Sequence, residues 1–355
     1  MKKIVFTLVL ICSTTIFSQE KSYELKKVDT STVAKSKFVP APYVNYSRSV
    51  GFAGGFIPMY MFNLNKKDTI SPQSLAGGMA MYSSNKTYFY MGFARLYLFE
   101  DTWRITTAGG SGNLNFQIYI GNIYNNYVDY STGMNFFEGR IQRKFFKKLF
   151  AGLAIQYLKF DTRFDDNSNL EIENELFSLG FIDDYDLRDN VYYPKKGSIT
   201  SIEWNSYPTW LGNKSSSNKI DASFNRYKSI RKNRDVLAYR IYGEFGLGNV
   251  SFNQETVVGR TDLRGYTQGK YRGKGMMDIQ AEYRYNFTKK MGLVGFAGVG
   301  TIYGAIDKDN NWDILPSIGT GFRYNVFPSN HMNIGLDVAA GKDDWGIYFR
   351  IGEAF

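Results

Sequence analysis

The sequence predicts an all-β protein, a transmembrane antiparallel up-and-down β-barrel of about sixteen strands. Three observations carry that expectation. An export leader opens the chain, no later apolar run is long enough for a membrane-spanning helix, and segment after segment alternates apolar with polar residues at period two. Composition agrees: aromatics reach 17%, with 27 Tyr and 28 Phe, and Gly numbers 35 against 8 Pro.

In chain order, Lys2 and Lys3 precede a mostly apolar run from Ile4 to Ile11, followed by small and polar residues and "FSQEK". This is the layout of a secretory signal peptide over residues 1–18, with cleavage near Ser18. Residues 19–37, "QEKSYELKKVDTSTVAKSK", read as a short polar periplasmic linker. The outer-membrane barrel is expected over 38–355. Its strands are expected at 40–48, 51–63, 72–82, 87–99, 102–118, 132–145, 148–161, 174–187, 197–209, 217–230, 234–248, 276–287, 291–302, 312–326, 331–340 and 344–354.

Four of these segments show the alternation most plainly. Met277, Ile279, Ala281, Tyr283, Tyr285 and Phe287 share one face, while Asp278, Gln280, Glu282, Arg284 and Asn286 share the other. Ile318, Phe322, Tyr324 and Val326 stand against Gly319, Gly321, Arg323 and Asn325. Met332, Ile334, Leu336, Val338 and Ala340 stand against Asn333, Gly335, Asp337 and Ala339. Trp345, Ile347, Phe349, Ile351 and Phe355 stand against Gly346, Tyr348, Arg350 and Gly352. A soluble sandwich alternates too, but here the polar face is ionic and glycine-rich and the other is aromatic and branched aliphatic. That contrast suits a wet lumen and a lipid exterior.

An even strand count places both ends of the barrel on one side, and the connections then sort by length. Glu100-Asp101, "FKK" at Phe146, "RKNR" at Arg231, "TKK" at Thr288 and "PSN" at Pro328 fall on the side of the termini. The longest connections, 119–131 and 161–174, fall on the other. Short periplasmic turns and long outer loops are the asymmetry of an outer-membrane barrel.

Several chemistries are excluded or disfavoured. The only cysteine, Cys12, leaves with the leader, so the mature chain has neither a disulfide nor a thiol nucleophile. The only histidine, His331, sits in the reversal "PSNHMN" and reads as a turn residue. Zinc clusters of Cys and His are therefore ruled out, and no enzyme activity, metal or cofactor is expected. The net charge of +10, or +8 once Lys2 and Lys3 are gone, points for an exported protein to lipid headgroups and lipopolysaccharide rather than nucleic acid. "DKDNNWD", from Asp307, has Trp312 where a calcium loop needs its turn glycine and reads as a solvated outer loop. "GKYRGKG" lacks the Gly-Lys-Ser/Thr ending of a phosphate loop.

One segment fits none of the strands: "TDLRGYTQGKYRGKG", from Thr261 to Gly275, between the eleventh and twelfth. Its Leu263, Arg264, Gly265 and Tyr266 resemble the Arg-Gly-Phe/Tyr loop motif of the bacterial surface antigen family, the outer-membrane assembly superfamily that includes BamA and TamA. "YDLRDNVYYPKKG", with Asp186, Arg188, Asp189, Pro194 and Gly197, is similar to a strand-and-turn motif of the same group. "AEYRYNF" and the ending "RIGEAF" resemble its later strands, with Phe349, Ile351 and Phe355 standing as the C-terminal assembly signal. The likeness covers about residue 38 to 355.

The resemblance implies a sixteen-stranded barrel with the loop folded back into the lumen. A buried arginine then needs a carboxylate. Glu282, inward on the next strand, is the expected partner of Arg264, with Asp278 and Glu244 as alternates, while Gly265 permits a tight turn and Tyr266 packs on the wall. Two departures stand out. Gly298 occupies the position where the family carries an Asp, which predicts a loop held by one fewer ionic contact. The stretch between leader and first strand is too short for one of the family's periplasmic POTRA domains.

Two functions follow as expectations. The first is assembly, insertion or translocation of outer-membrane proteins through a lateral seam between first and last strands, working with a separate periplasmic chaperone or assembly subunit and unfolded clients. The alternative is a passive pore or structural barrel whose lumen the loop narrows.

Overall fold

The computed structural model describes residues 36–355, except 48–49, 121–125, 165–170, 260–261, 268–269, 306–309 and 329–330. The expected signal peptide, Cys12, nearly all of the expected linker and Asp307 lie outside the described residues. Residues from 36 onward belong to one compact unit.

That unit is strand almost throughout. The first eleven strands are β1 (Lys37–Ser47), β2 (Gly51–Phe62), β3 (Ser74–Ser83), β4 (Tyr88–Leu98), β5 (Trp103–Ile120), β6 (Asn126–Lys144), β7 (Leu149–Phe164), β8 (Glu171–Asp186), β9 (Gly197–Tyr207), β10 (Ser217–Ile230) and β11 (Asp235–Gly248). Two residue pairs, β12 (Thr256–Val257) and β13 (Arg272–Gly273), form a small ribbon of their own. Five more strands follow: β14 (Gly275–Asn286), β15 (Met291–Tyr303), β16 (Leu315–Phe327), β17 (Met332–Gly341) and β18 (Asp344–Ile351). Leaving out the ribbon, sixteen strands close into an antiparallel barrel in which each pairs with its sequence neighbour, β11 pairs with β14, and β18 returns to β1.

The pleat sends successive side chains to opposite faces, so period two in the sequence becomes inside and outside in space. On β8, Phe177, Leu179 and Phe181 are exposed on the outer wall, while Leu176, Ser178 and Ile182 are buried within. On β14, Met277, Ile279 and Tyr285 face outward and Asp278, Gln280, Glu282 and Arg284 face inward.

Two features differ from expectation. The hairpins expected to end in the longest loops are longer ladders instead: β5 and β6 pair as far as Ile120↔Asn126, and β7 and β8 as far as Arg163↔Glu171. Beyond the lipid both faces of a strand are wet, so backbone pairing continues after the apolar–polar alternation has stopped. The inner wall is also less uniformly ionic than expected. Ala41, Ile57, Met59, Met61 and Leu75 form an apolar inner cluster on the early strands, and Met134, Phe160, Leu176 and Tyr207 form another. Ionic lining runs both along β14–β18 and along β4–β11, where Arg104, Arg140, Glu203, Asp221 and Glu244 face the lumen.

Candidate functional site

The segment between β11 and β14 crosses the lumen. Its first part bonds to one wall. A single helical turn, Phe252–Gln254, is closed by a capping box from Ser251, and Ser251 accepts a hydrogen bond from Asn174 of β8 at 2.7 Å. Asn253 donates to Thr162 of β7 at 3.1 Å, and Thr256 donates to Glu244 of β11 at 2.6 Å. Arg272 pairs with Glu255 at 2.7 Å and stacks on the Phe252 ring at 3.6 Å. Burial pushes the Glu255 carboxyl above its ordinary pKa, with Arg272 opposing the shift.

Its second part bonds to the opposite wall. Arg264 is 3% exposed, and its guanidinium meets two carboxylates: Nη2 donates to Glu282 of β14 at 3.1 Å, and Nη1 donates to Asp337 of β17. Its plane lies 3.4 Å from the centroid of Phe296, a desolvated cation–π contact. Both carboxylates are shared. Arg284 donates to Glu282 at 2.9 Å, while Arg323, and Arg350 at 3.0 Å, donate to Asp337. Buried charges persist only when paired and hydrogen-bonded in this way.

The neighbours of Arg264 fix the loop tip. Gly265 has φ +102°, and a Cβ there would sit 2.6 Å from the carbonyl carbon of Ala340, so backbone passes against backbone where no side chain fits. The Gly265 N–H donates to Tyr348 at 2.9 Å, and the Thr267 N–H to Asp344. Tyr266 donates its hydroxyl to the Pro316 carbonyl and meets Tyr271 edge-on at 5.5 Å. Leu263 is fully buried, with its methyls 3.2 Å and 3.0 Å from where Cβ atoms at Gly298 and Gly300 would stand.

Of the proposed alternates, neither Asp278 nor Glu244 bonds Arg264. Asp278 accepts from Gln280, which also donates to Asp262 of the loop at 2.9 Å. Glu244 serves Thr256, Tyr242 and Lys219. Gly298 does not leave the arginine short of a carboxylate, because Asp337 supplies the second one; its missing side chain makes the slot for Leu263. Asp337, Phe296, Tyr348 and Asp344 were not singled out by the sequence, and the only signal for Asp337 was an inward acid on an otherwise apolar-and-glycine strand.

The turn residues sit together at the terminal side. Asp186 takes Arg188 at 2.9 Å and Arg104 at 2.8 Å. Asp189 accepts from the N–H groups of Lys195 and Lys196 at 2.9 and 3.2 Å. Pro194 is buried within that turn. Gly197 has φ +93°, and a Cβ there would meet the Leu187 carbonyl oxygen at 2.0 Å.

The barrel closes at β1 and β18. Other neighbouring strands register over many residues; among the described residues these two register at one pair, Tyr46↔Ile347. The chemistry of β1 explains it. Pro40 lies opposite Pro58 of β2, and since neither has an N–H this must be a non-hydrogen-bonded pair. The backbone polar groups of β1 residues 40, 42, 44 and 46 therefore point away from β2, toward β18. Pro40 and Pro42 leave two donors missing from that edge. Aromatic contacts bridge what the ladder does not: Tyr46 with Trp345 at 5.0 Å and Tyr43 with Phe349 at 5.8 Å.

The end of the chain then leaves the wall. Trp345 is exposed as the alternation requires, and Phe349 and Ile351 pack against the apolar cluster that includes residues of the first strands. Phe355 packs with Tyr193, Ile199, Tyr227 and Val236. Glu353 takes Arg323 at 2.9 Å and Asn333 at 2.7 Å, and Arg284 donates to the Phe355 main-chain oxygen at 2.6 Å. Phe349 and Ile351 keep the expected face of β18, paired opposite Leu336 and Ile334 of β17 while Tyr348 and Arg350 turn inward, and residues of the first strands cover them; Phe355 alone departs from the lipid face. With little ladder to hold it, the final segment follows its acid to the lumenal arginines.

Residues 73–355 match the Omp85 superfamily domain. Among solved structures the barrel is similar to CdiB from Escherichia coli, with TM-score 0.62 and 12% identity over 90% of this chain and 63% of that one. It is similar also to CdiB from Acinetobacter baumannii, at 0.57 and 11% over 89% and 59%, and to BamA from Haemophilus ducreyi lacking POTRA domains 1-3, at 0.57 and 13% over 88% and 70%. At these identities the likeness is one of fold, and the chain spans less than two thirds of either CdiB chain. No curated protein is significantly similar to it in sequence.

Proposed function

This chain belongs to the Omp85 superfamily, and on that premise we propose that it inserts or translocates polypeptides at the Gram-negative outer membrane through the seam between β1 and β18. Strand addition needs an edge with unpaired backbone groups, and a closed barrel has none unless one of its ladders is weak. The observation that carries the reading is the single register pair Tyr46↔Ile347, beside an edge that two prolines deprive of donors. An incoming strand competes there against very little native pairing. In this reading residues 1–18 direct export, 19–37 form a periplasmic linker, and Phe349, Ile351 and Phe355 belong to the assembly signal. The partners are the surrounding lipids and lipopolysaccharide, unfolded outer-membrane clients, and a periplasmic chaperone or assembly subunit.

Replacing Tyr46 and Ile347 together by cysteine and oxidising the pair tests this. Locking the seam should stop client folding into liposomes, and reduction should restore it, with solute flux through the barrel unchanged in both states. Undiminished client folding with the seam locked would leave the passive-pore reading in its place.

A further inference from the structure

The mouth of the barrel on the terminal side holds a cavity of about 620 Å³ whose lining contains five cationic side chains, Lys195, Arg234, Lys289, Lys290 and Arg323, and no carboxylate. The cations converge from separate elements: Lys195 from the β8–β9 connection, Arg234 from the β10–β11 turn, Lys289 and Lys290 from the β14–β15 turn, and Arg323 from β16. Only Arg323 is neutralised, by Asp337 and Glu353. Arg234 spends its donors on the main-chain oxygens of Asn286 and Phe287. Lys195, Lys289 and Lys290 have no ion pair among the described residues. The acids closest in sequence are engaged elsewhere: Asp189 bonds backbone N–H groups of its own turn, and Asp235 pairs with Arg231.

Solvated turn lysines are common, and Lys66, Lys67, Lys147, Lys148 and Lys232 on other turns of this rim also have no ion pair among the described residues; what distinguishes this cavity is a lining without a carboxylate, whereas the cavity bordered by Lys144, Lys147 and Lys148 also holds Asp101, Asp186 and Asp189. Some rim charges are answered directly. Lys144 lies 3.5 Å from Asp101, Arg231 chelates Asp235, and on the outer side Lys342 pairs with Asp313 at 2.7 Å. Uncompensated like charges around one concavity repel each other and focus a positive potential into it. They favour an anionic occupant.

We propose that this cavity is the docking site for an acidic segment, rich in Asp and Glu, of a soluble polypeptide on the terminal side of the membrane. Inward-facing Arg323, Asn325 and Asn333 form part of its lining, whereas the lipid-facing positions beside them are Leu293, Phe322 and Tyr324. Phe287 and Met291 from the outer face also border the cavity, but three of its cations, Lys195, Lys289 and Lys290, stand on turns beyond the strand ends, where a water-borne chain has direct access. The protein's own segment before β1 is not that chain, because Lys21, Lys26, Lys27 and Lys35 outnumber Glu20, Glu24 and Asp29. The site is independent of the seam: either can fail without the other.

The test uses the full-length protein folded in detergent, with fluorescein-labelled hexaglutamate as probe and hexaglutamine as control, read by anisotropy. The triple variant Lys195→Glu/Lys289→Glu/Lys290→Glu should weaken hexaglutamate binding by about tenfold or more, and added salt should weaken the wild type in the same direction. Lys66→Glu/Lys67→Glu, on another turn of the same rim, should bind as the wild type does, and so should the oxidised seam variant. Heat-modifiable gel mobility checks folding, and the triple alanine variant replaces the triple glutamate one if the latter does not fold. Hexaglutamate binding no better than hexaglutamine, or equal loss in the Lys66/Lys67 variant, would overturn the proposal. Displacement of the probe by phosphatidylglycerol vesicles but not by phosphatidylcholine vesicles would assign the cavity to lipid instead, and overturn it too.

Discussion

Arg264 carries one charge into the lumen and is answered by two carboxylates, each also serving another arginine. Removing it leaves Glu282 and Asp337 with their remaining arginines but strips the loop of its anchor. Arg264→Ala should cost about 3–5 kcal/mol, the usual range for breaking a buried pair, seen as a lower melting temperature in heat-modifiable gels. Because Arg264 and Glu282 act within one network, the Arg264→Ala/Glu282→Ala double variant should lose less than the two singles together; full additivity would rule out their coupling. His331 offers a second residue-scale test. Burial, and then Lys195, hold its imidazole below the ordinary pKa of 6.5. The unfolded chain therefore binds the proton more readily, so this contribution is present above pH 6.5 and is lost as pH falls from there toward the depressed folded value. His331→Gln should flatten that part of a stability–pH curve.

Strands show most clearly what local pattern reveals and where it stops. Alternation identified most of β14, β16 and β17 residue by residue, because a lipid face on one side and an ionic face on the other repeat with the pleat; it failed at Val326 and Met332, buried where a bulge between Asn325 and Phe327 shifts the register. It stopped early on β5–β8, where both faces are wet, and it misplaced Phe355, which lies past the end of β18 where the wall itself ends. Prolines mark the edge. Pro40→Ala/Pro42→Ala returns two N–H donors to the β1 edge, each ladder bond worth about 0.5–1.5 kcal/mol. The variant should melt higher and support slower client insertion. A variant that melts higher yet inserts clients at the wild-type rate would show that seam strength does not limit the process.

At the scale of the molecule, closure places β16–β18 and their charges across the lumen from β6–β8, and the β11–β14 segment bonds to both walls. It therefore blocks part of the channel rather than lying on the surface. Shortening it, by replacing residues 258–267 with a Gly-Ser turn, should raise single-channel conductance in planar bilayers while leaving the barrel insoluble without detergent. Conductance unchanged by the shortening would mean that the segment does not limit the lumen.

The chain alone determined that it would be a barrel and how many strands it would have, and the likeness of its loop motif to a known family, with the cost of a buried charge, that Arg264 would seek Glu282. The first two follow from local rules, a two-residue pleat and turn chemistry. Closure decided the rest. That Asp337 shares Arg264, that Gly298 makes room for Leu263, that unanswered lysines gather at one mouth, and that β18 barely pairs with β1 all depend on distant strands brought side by side, and no repeat along the sequence encodes which of them will meet.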